Sequence, residues 1–226
     1  MPRRNFLAIF SYDGTDFAGW QRLPAGERSV QAVIEAALGP IVGEAVEPAF
    51  PGALSFEIVG ASRTDAGVHA EGQAASFHAR TALSPDEILS ALNRALPPDV
   101  ACKSCREVDP RFHARYRAKG KLYRYRLHVG APDPAARRFS LQVDERLDLG
   151  AMGAAARLFE GEHDFGAFTN SRGLKEPARR VDEARVEKSG EFVDLFFSGP
   201  GFLYNQVRNM VGTLIDPPAT MINSTG

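Results

Sequence analysis

Along residues 6–12 the side chains alternate, with Phe6, Ala8, Phe10 and Tyr12 on one side and Leu7, Ile9 and Ser11 on the other. A period of two predicts a strand. The period then changes. Val30, Val33, Ile34 and Ala37 share one helical face, and Ser29 can cap a helix over Val30–Leu38. A second strand covers Leu54–Val59, and Gln73–His78 returns alongside it, with a glycine-bounded turn between them. Ser84-Pro85-Asp86-Glu87 opens another helix: Ser84 caps, Pro85 suits the first helical position, and Glu87 completes a capping box. That helix ends before Pro97-Pro98, and Val100–Val108 is a further strand. The order β-α-β-β-α-β is that of a ferredoxin-like unit.

The second half repeats the theme in architecture, without sequence self-similarity. Lys121–Val129 is a strand with Tyr123, Tyr125, Leu127 and Val129 on one face. Asp148–Phe159 is a small-residue helix. Val181–Lys188 and Phe192–Ser198 form a hairpin about Ser189-Gly190, and Leu203–Ile215 is a closing helix. A boundary near Asp109-Pro110 divides the chain into residues 1–109, 110–215 and a tail, 216–226, read as unstructured from its prolines and polar finish. The fold class is α+β.

Composition narrows the function. The chain has 226 residues, 44% hydrophobic and 24% charged, an ordinary globular balance. No run approaches the roughly twenty apolar residues of a membrane helix. The N-terminus shows no signal-peptide core, so the expected location is cytoplasmic. Cys102 and Cys105 are spaced C-x-x-C but lack a second ligand pair, so no zinc site is expected. On a regular strand, positions three apart face opposite sides, which leaves them as two separate reduced thiols. The histidines form no H-E-x-x-H pattern, there is no P-loop, and Ser11 breaks the D-x-D-G-T pattern at Asp13-Gly14-Thr15.

Net charge is −1 and carries no nucleic-acid signal, but the local distribution does. Between Lys103 and Arg138 eleven basic residues meet three acidic ones, a net charge of +8. Arg115, Lys121 and Arg124 lie in this run, with Tyr116, Tyr123 and Tyr125 interleaved. Arginines interleaved with aromatics suit a surface that pairs phosphates and stacks bases. The plainer reading is a solvated charged face.

The most informative stretch is Gly60-Ala61-Ser62-Arg63-Thr64-Asp65-Ala66-Gly67-Val68-His69-Ala70. It sets one carboxylate, Asp65, on a tight turn with Arg63 close by. A carboxylate beside a guanidinium stays ionised, and a rigidly aimed carboxylate can act as a nucleophile. An Asp-Ala-Gly triplet by itself is more often a turn cap. Arg208 stands on the otherwise apolar closing helix, where it needs an anionic partner if buried and none if exposed.

Five segments in order resemble the TruA-type tRNA pseudouridine synthases. They are the Asp65 loop, Tyr12–Gln21, Phe112-His113-Ala114-Arg115, Tyr123-Arg124-Tyr125 and Gly201–Gly212. The resemblance implies a cofactor-free, metal-free isomerase that converts uridine to pseudouridine at positions 38, 39 and 40 of the tRNA anticodon stem-loop. It implies two ferredoxin-like (RRM-like) halves sharing one continuous, mostly antiparallel sheet, with helices on one side and a cleft between the halves. It also implies a homodimer that cradles tRNA. Asp65 then corresponds to the nucleophile, Tyr123 to a base-stacking residue and candidate general base, Arg208 to the partner of the catalytic Asp, and Arg63 to a residue holding the flipped-out nucleotide.

Three departures stand out. Ser62 occupies a position where the family commonly has glycine, and the segment Gly43–Ser55 looks long. After Leu214 the family continues to a closing strand, whereas Ile215–Gly226 looks unrelated. Loss of that strand would expose a sheet edge and weaken stability and catalysis. The alternatives to an active enzyme are therefore a catalytically impaired, shortened RNA-binding homologue or a chain that folds poorly.

Overall fold

The structure, a computed structural model, describes residues 3–24, 26–43, 57–143 and 147–215. The chain forms two compact units, residues 1–118 and 119–226. The reading of residues 216–226 as an unstructured tail, and that of a long loop from Gly43 to Ser55, fall almost entirely outside the described residues.

The first unit runs β1 (Arg4–Tyr12), α1 (Val30–Val42), β2 (Ile58–Gly60), β3 (Ala70–Ala79), α2 (Pro85–Ala95), β4 (Val100–Val108) and a short α3 (Ala114–Arg117). Its antiparallel sheet has the order β2-β3-β1-β4, the ferredoxin-like arrangement. Phe6, Phe10, Phe77, Ile34, Leu38, Ile88 and Leu92 form the core between the sheet and α1 and α2. The predicted caps are present. Ser29 accepts from Ala32 N–H, and Ser84 and Glu87 make the reciprocal capping box. Helix α1 outruns its predicted end at Leu38, because burial of Val42 carries it past Pro40 to a left-handed Gly43.

Two features of this unit depart from the sequence reading. The pairing of β1 with β4 shifts between Ile9, opposite Ser104, and Phe10, opposite Cys102. This bulge re-phases β4, so Cys102 and Cys105 are both buried against the core instead of facing opposite sides. Both are free thiols, and burial pushes them up to about 11 and about 12. Helix α3 lies across the sheet face opposite α1 and α2, so the helices of this unit are not confined to one side. Asn5 and Ser76 are buried on that face, next to Phe6, Ala75 and Phe77, which point into the core. Asn5 Nδ2 donates to the carbonyls of Asp109 (2.9 Å) and Phe112 (2.8 Å), and Ala114 N–H donates to Ser76 Oγ (3.1 Å). Residues 109–117 are thereby fastened to the first unit, and the compact division falls later than Asp109-Pro110.

The second unit contains β5 (Lys121–Val129), β6 (Leu141–Val143), α4 (Leu149–Arg157), β7 (Gly161–Asp164), β8 (Ala178–Val181), β9 (Glu183–Ser189), β10 (Phe192–Gly199) and α5 (Gln206–Ile215). Its main sheet has the order β6-β5-β10-β9, and β7 pairs with β8. The series β5-α4-β9-β10-α5 repeats β1-α1-β2-β3-α2, and β9-β10-β5 matches β2-β3-β1. Strand β6, parallel to β5, takes the place that β4 takes beside β1. The predicted run Val181–Lys188 is divided: Val181 closes β8, while Asp182 N–H donates to Ser198 O (2.8 Å) and starts the pairing of β9. Among the described residues no helix is long and apolar enough to cross a membrane.

Candidate active site

The Asp65 loop joins β2 to β3 in the first unit. Its roots are held by Ala61 N–H to Ala74 O (2.8 Å) and by Gln73 Nε2 to Ser62 O (2.6 Å). Val68 N–H donates to Asp65 O (3.2 Å), and Gly67 has φ 77°. Ser62 has no positive φ, so a side chain is admitted at this position.

A second loop, residues 13–20, lies along the first. Trp20 N–H donates to Thr64 O (3.0 Å), Gly67 N–H to Phe17 O (3.2 Å), and the Tyr12 and Thr64 hydroxyls are 2.8 Å apart. Contact is too close for side chains at three glycines. A Cβ on Gly14 would overlap Val68 O, one on Gly19 (φ 110°) would lie 2.7 Å from Thr64 O, and one on Gly60 would lie 2.5 Å from the Trp20 ring. His69 Nδ1 is 3.1 Å from both Gly14 N and Asp13 Oδ1. Unprotonated, it accepts from Gly14 N–H; protonated, it donates to Asp13. Residues 13–20 thus act as the second jaw of a clamp on the Asp65 turn. The sequence attached this segment to the site only by likeness; the clue it offered was glycine at 14 and 19 on either side of buried Phe17.

Behind the clamp lies a buried carboxylate that the sequence reading missed. Glu35, 3% exposed, stands one turn after Gln31 on α1. It accepts from Ile58 N–H (3.1 Å), Gln31 Nε2 (3.0 Å) and Arg22 Nη1 (3.0 Å). Gln31 also donates to Ile58 O (3.2 Å) and accepts from Arg22 N–H (3.1 Å). The pair therefore satisfies both backbone groups of Ile58 on the edge of β2 away from β3, two residues before the loop, and fixes Arg22 at the end of the second jaw. Burial raises the Glu35 carboxyl above its ordinary range, opposed by Ile58 N–H, Arg22 and Gln31. A polar pair four residues apart on a mostly apolar helix was the available signal.

Within this frame Asp65 is half-buried and Arg63 is exposed. Arg115 is exposed on α3. The remaining predicted site residues belong to the second unit. Tyr123 is half-buried opposite Phe197, its ring edge-on to Phe202 at 5.3 Å and 85°. Lys121 is opposite Gly199, and Arg124, opposite Phe196, is exposed. Arg208 is exposed on α5, so its place on an apolar helix needs no buried partner. The start of α5 is set by buried Gln206, whose Oε1 accepts from Leu203 N–H (2.8 Å), and by Asn205 at φ 59°. The structure thus brings Arg63 and Asp65 together on one clamped turn, and Lys121, Tyr123 and Arg124 on one strand. Among the described residues no three His, Cys, Asp or Glu side chains cluster as metal ligands.

The fold and the clamped carboxylate define an α+β protein built to present one acidic side chain on a rigid turn. A family model described as tRNA pseudouridine synthase matches residues 8–117 and 155–224. That match enters the last segment, where the sequence reading found no likeness. The tRNA pseudouridine synthase A of Acetivibrio thermocellus is 41% identical over 215 residues, 94% of this chain and 84% of that protein. The protein of the same name from Bacillus sp. (strain KSM-64) is 39% identical over 214 residues, and that from Moorella thermoacetica 41% over 209. These cover 94% and 91% of this chain, and 84% and 81% of those proteins. The chain belongs to the tRNA pseudouridine synthase family, a family of isomerases.

Proposed function

We propose that this protein isomerises uridine to pseudouridine at positions 38, 39 and 40 of the tRNA anticodon stem-loop, with Asp65 as nucleophile. The observation that carries the reading is the two-loop clamp, in which backbone hydrogen bonds and three close glycine contacts fix one half-exposed carboxylate. The reaction needs such a group. The N1–C1′ bond breaks, uracil turns, C5 bonds to C1′, and the proton on C5 is released while one is gained at N1. The carboxylate adds either to uracil C6 or to C1′, leaving again once the new bond has formed. No electrons are exchanged.

The target base must leave its stack, at a cost of about a few kcal/mol. In this reading Tyr123 stacks on the flipped base and serves as general base, Arg208 pairs with Asp65, and Arg63 holds the flipped nucleotide. Arg115, Lys121 and Arg124 contact phosphates. The enzyme works as a cytoplasmic homodimer on tRNA. Family membership supports turnover over the alternative of an RNA-binding homologue without catalysis.

The test is tritium release from tRNA carrying C5-labelled uridine, with the modified positions mapped afterwards. Wild type should release label from the anticodon stem-loop, and Asp65→Asn should lower the rate on the order of a thousandfold or more. An unchanged rate in Asp65→Asn excludes Asp65 as nucleophile, and label released only from other parts of tRNA excludes the site.

A further inference from the structure

The basic run does not present its aromatics equally. Tyr123 and Tyr125 are half-buried on β5, while Tyr116 on α3 is 81% exposed. A tyrosine that bare is seldom left as a rigid, oriented ring, yet this one is stacked on His113, ring centroids 4.2 Å apart and planes at 25°. Arg115 and Arg117, on either side of it, are exposed, as is Arg111 one turn before. None of these three guanidinium groups has an ion-pair partner among the described residues. Farther along the run the cations are engaged differently: Arg126 is held by Asp194 through two bonds of 2.7 and 2.6 Å.

The platform is also firmly mounted. Four hydrogen bonds, from Asn5, from Ala114 to Ser76, and between His78 and Pro110 (2.9 Å), fix residues 109–114 to β1 and β3. Ser76 is paired with Val59, the residue before Gly60, where the Asp65 loop begins. The mount of α3 and the root of the catalytic loop therefore share one strand pair.

We infer that Tyr116, backed by His113 and flanked by Arg115 and Arg117, is a stacking platform for an unpaired RNA base beside the target nucleotide. An exposed aromatic face with free guanidinium groups on both sides matches the chemistry of a base and its two neighbouring phosphates. A protein partner would place an apolar or acidic surface here, and its contacts would not depend on an RNA base. The inference rests on the proposed function, since the ligand is the tRNA.

The test measures tRNA affinity across a salt series for wild type, Tyr116→Ala, Tyr116→Phe and Arg117→Ala, with melting temperature and light scattering on each. Tyr116→Ala should weaken binding about 5- to 100-fold, the loss of one stacked base, with the slope of log affinity against log salt unchanged. Tyr116→Phe should bind like wild type, since the face is kept. Arg117→Ala should reduce the slope by about one. The ring carries none of the anchoring bonds, so the melting temperature of Tyr116→Ala should hold. Wild-type affinity in Tyr116→Ala overturns the platform while leaving the enzyme reading intact, and so does an effect confined to oligomeric state, which would mark a protein contact. Failure of wild type itself to bind tRNA overturns both.

Discussion

The two units repeat one strand-helix order but secure their sheets by different means. In the first, helix side chains clasp backbone on both edge strands, from buried positions on α1 and an exposed one on α2. Gln31 and Glu35 take Ile58 on β2, and Asn93 bonds both the N–H and C=O of Cys102 on β4, at 2.8 Å each. In the second, ion pairs cross the outer face of the sheet, one on buried Asp194 and the others on exposed Glu183 and Glu187. Arg126 meets Asp194 and lies over Phe192 at 4.9 Å, while Arg185 meets Glu183 and Glu187 and lies over Phe196 at 3.9 Å. Buried bonds to backbone have one geometry and are costly to lose. Surface ion pairs hold a face together but tolerate adjustment. The unit that carries the Asp65 loop is the one whose sheet edges are held through backbone.

The sharpest way to break this contrast is at the clamp. Gly14→Ala pushes a methyl group into Val68 O, so the jaws must part. With Asp65 as the proposed nucleophile, a shift of about 1 Å there should cost roughly a hundredfold in rate. The expected result is a fall in kcat of that order with tRNA affinity retained, together with about 1–3 kcal/mol of lost stability in urea. Unchanged kcat would show that the second jaw is only packing.

The next test falls on Glu35. Glu35→Ala leaves Ile58 N–H and Arg22 without their acceptor and should cost about 2–3 kcal/mol. Glu35→Gln sharpens it through pH. Burial raises the folded-state pKa, so the protonated carboxyl favours folding and ionisation works against it. Wild type should therefore be most stable relative to Glu35→Gln at acid pH. That advantage should shrink as pH rises from the ordinary carboxylate range through the raised value, then level off. A difference that grows with pH would mean that the Arg22 ion pair outweighs burial.

The mildest effect separates two arginines of the same run. Arg126→Ala should cost about 1–2 kcal/mol of stability and leave the salt slope of tRNA binding unchanged, because Asp194 already holds that guanidinium. Arg115→Ala should leave stability unchanged and lower the slope by about one. Equal slopes in both variants would mean that the basic run is a solvated face throughout.

What the sequence determined by itself is local or nearly so. Alternation at residues 6–12, the caps Ser29 and Ser84, the turn at Ser189-Gly190 and the order of elements follow from periodicity and short-range hydrogen bonds. The Asp65 loop was legible as a motif for the same reason: its residues are contiguous. What only the tertiary structure decided depends on partners far away in the chain. The burial of both Cys102 and Cys105 follows from a bulge in pairing with β1, which strand periodicity does not encode. Residues 109–117 belong with the first unit because Asn5 and Ser76 hold them there, about a hundred and about forty residues back along the chain. Glu35 reads as an ordinary helix carboxylate until Ile58 and Arg22 arrive around it. A buried polar group takes its meaning from the partner that satisfies it, and a sequence names the group without naming the partner.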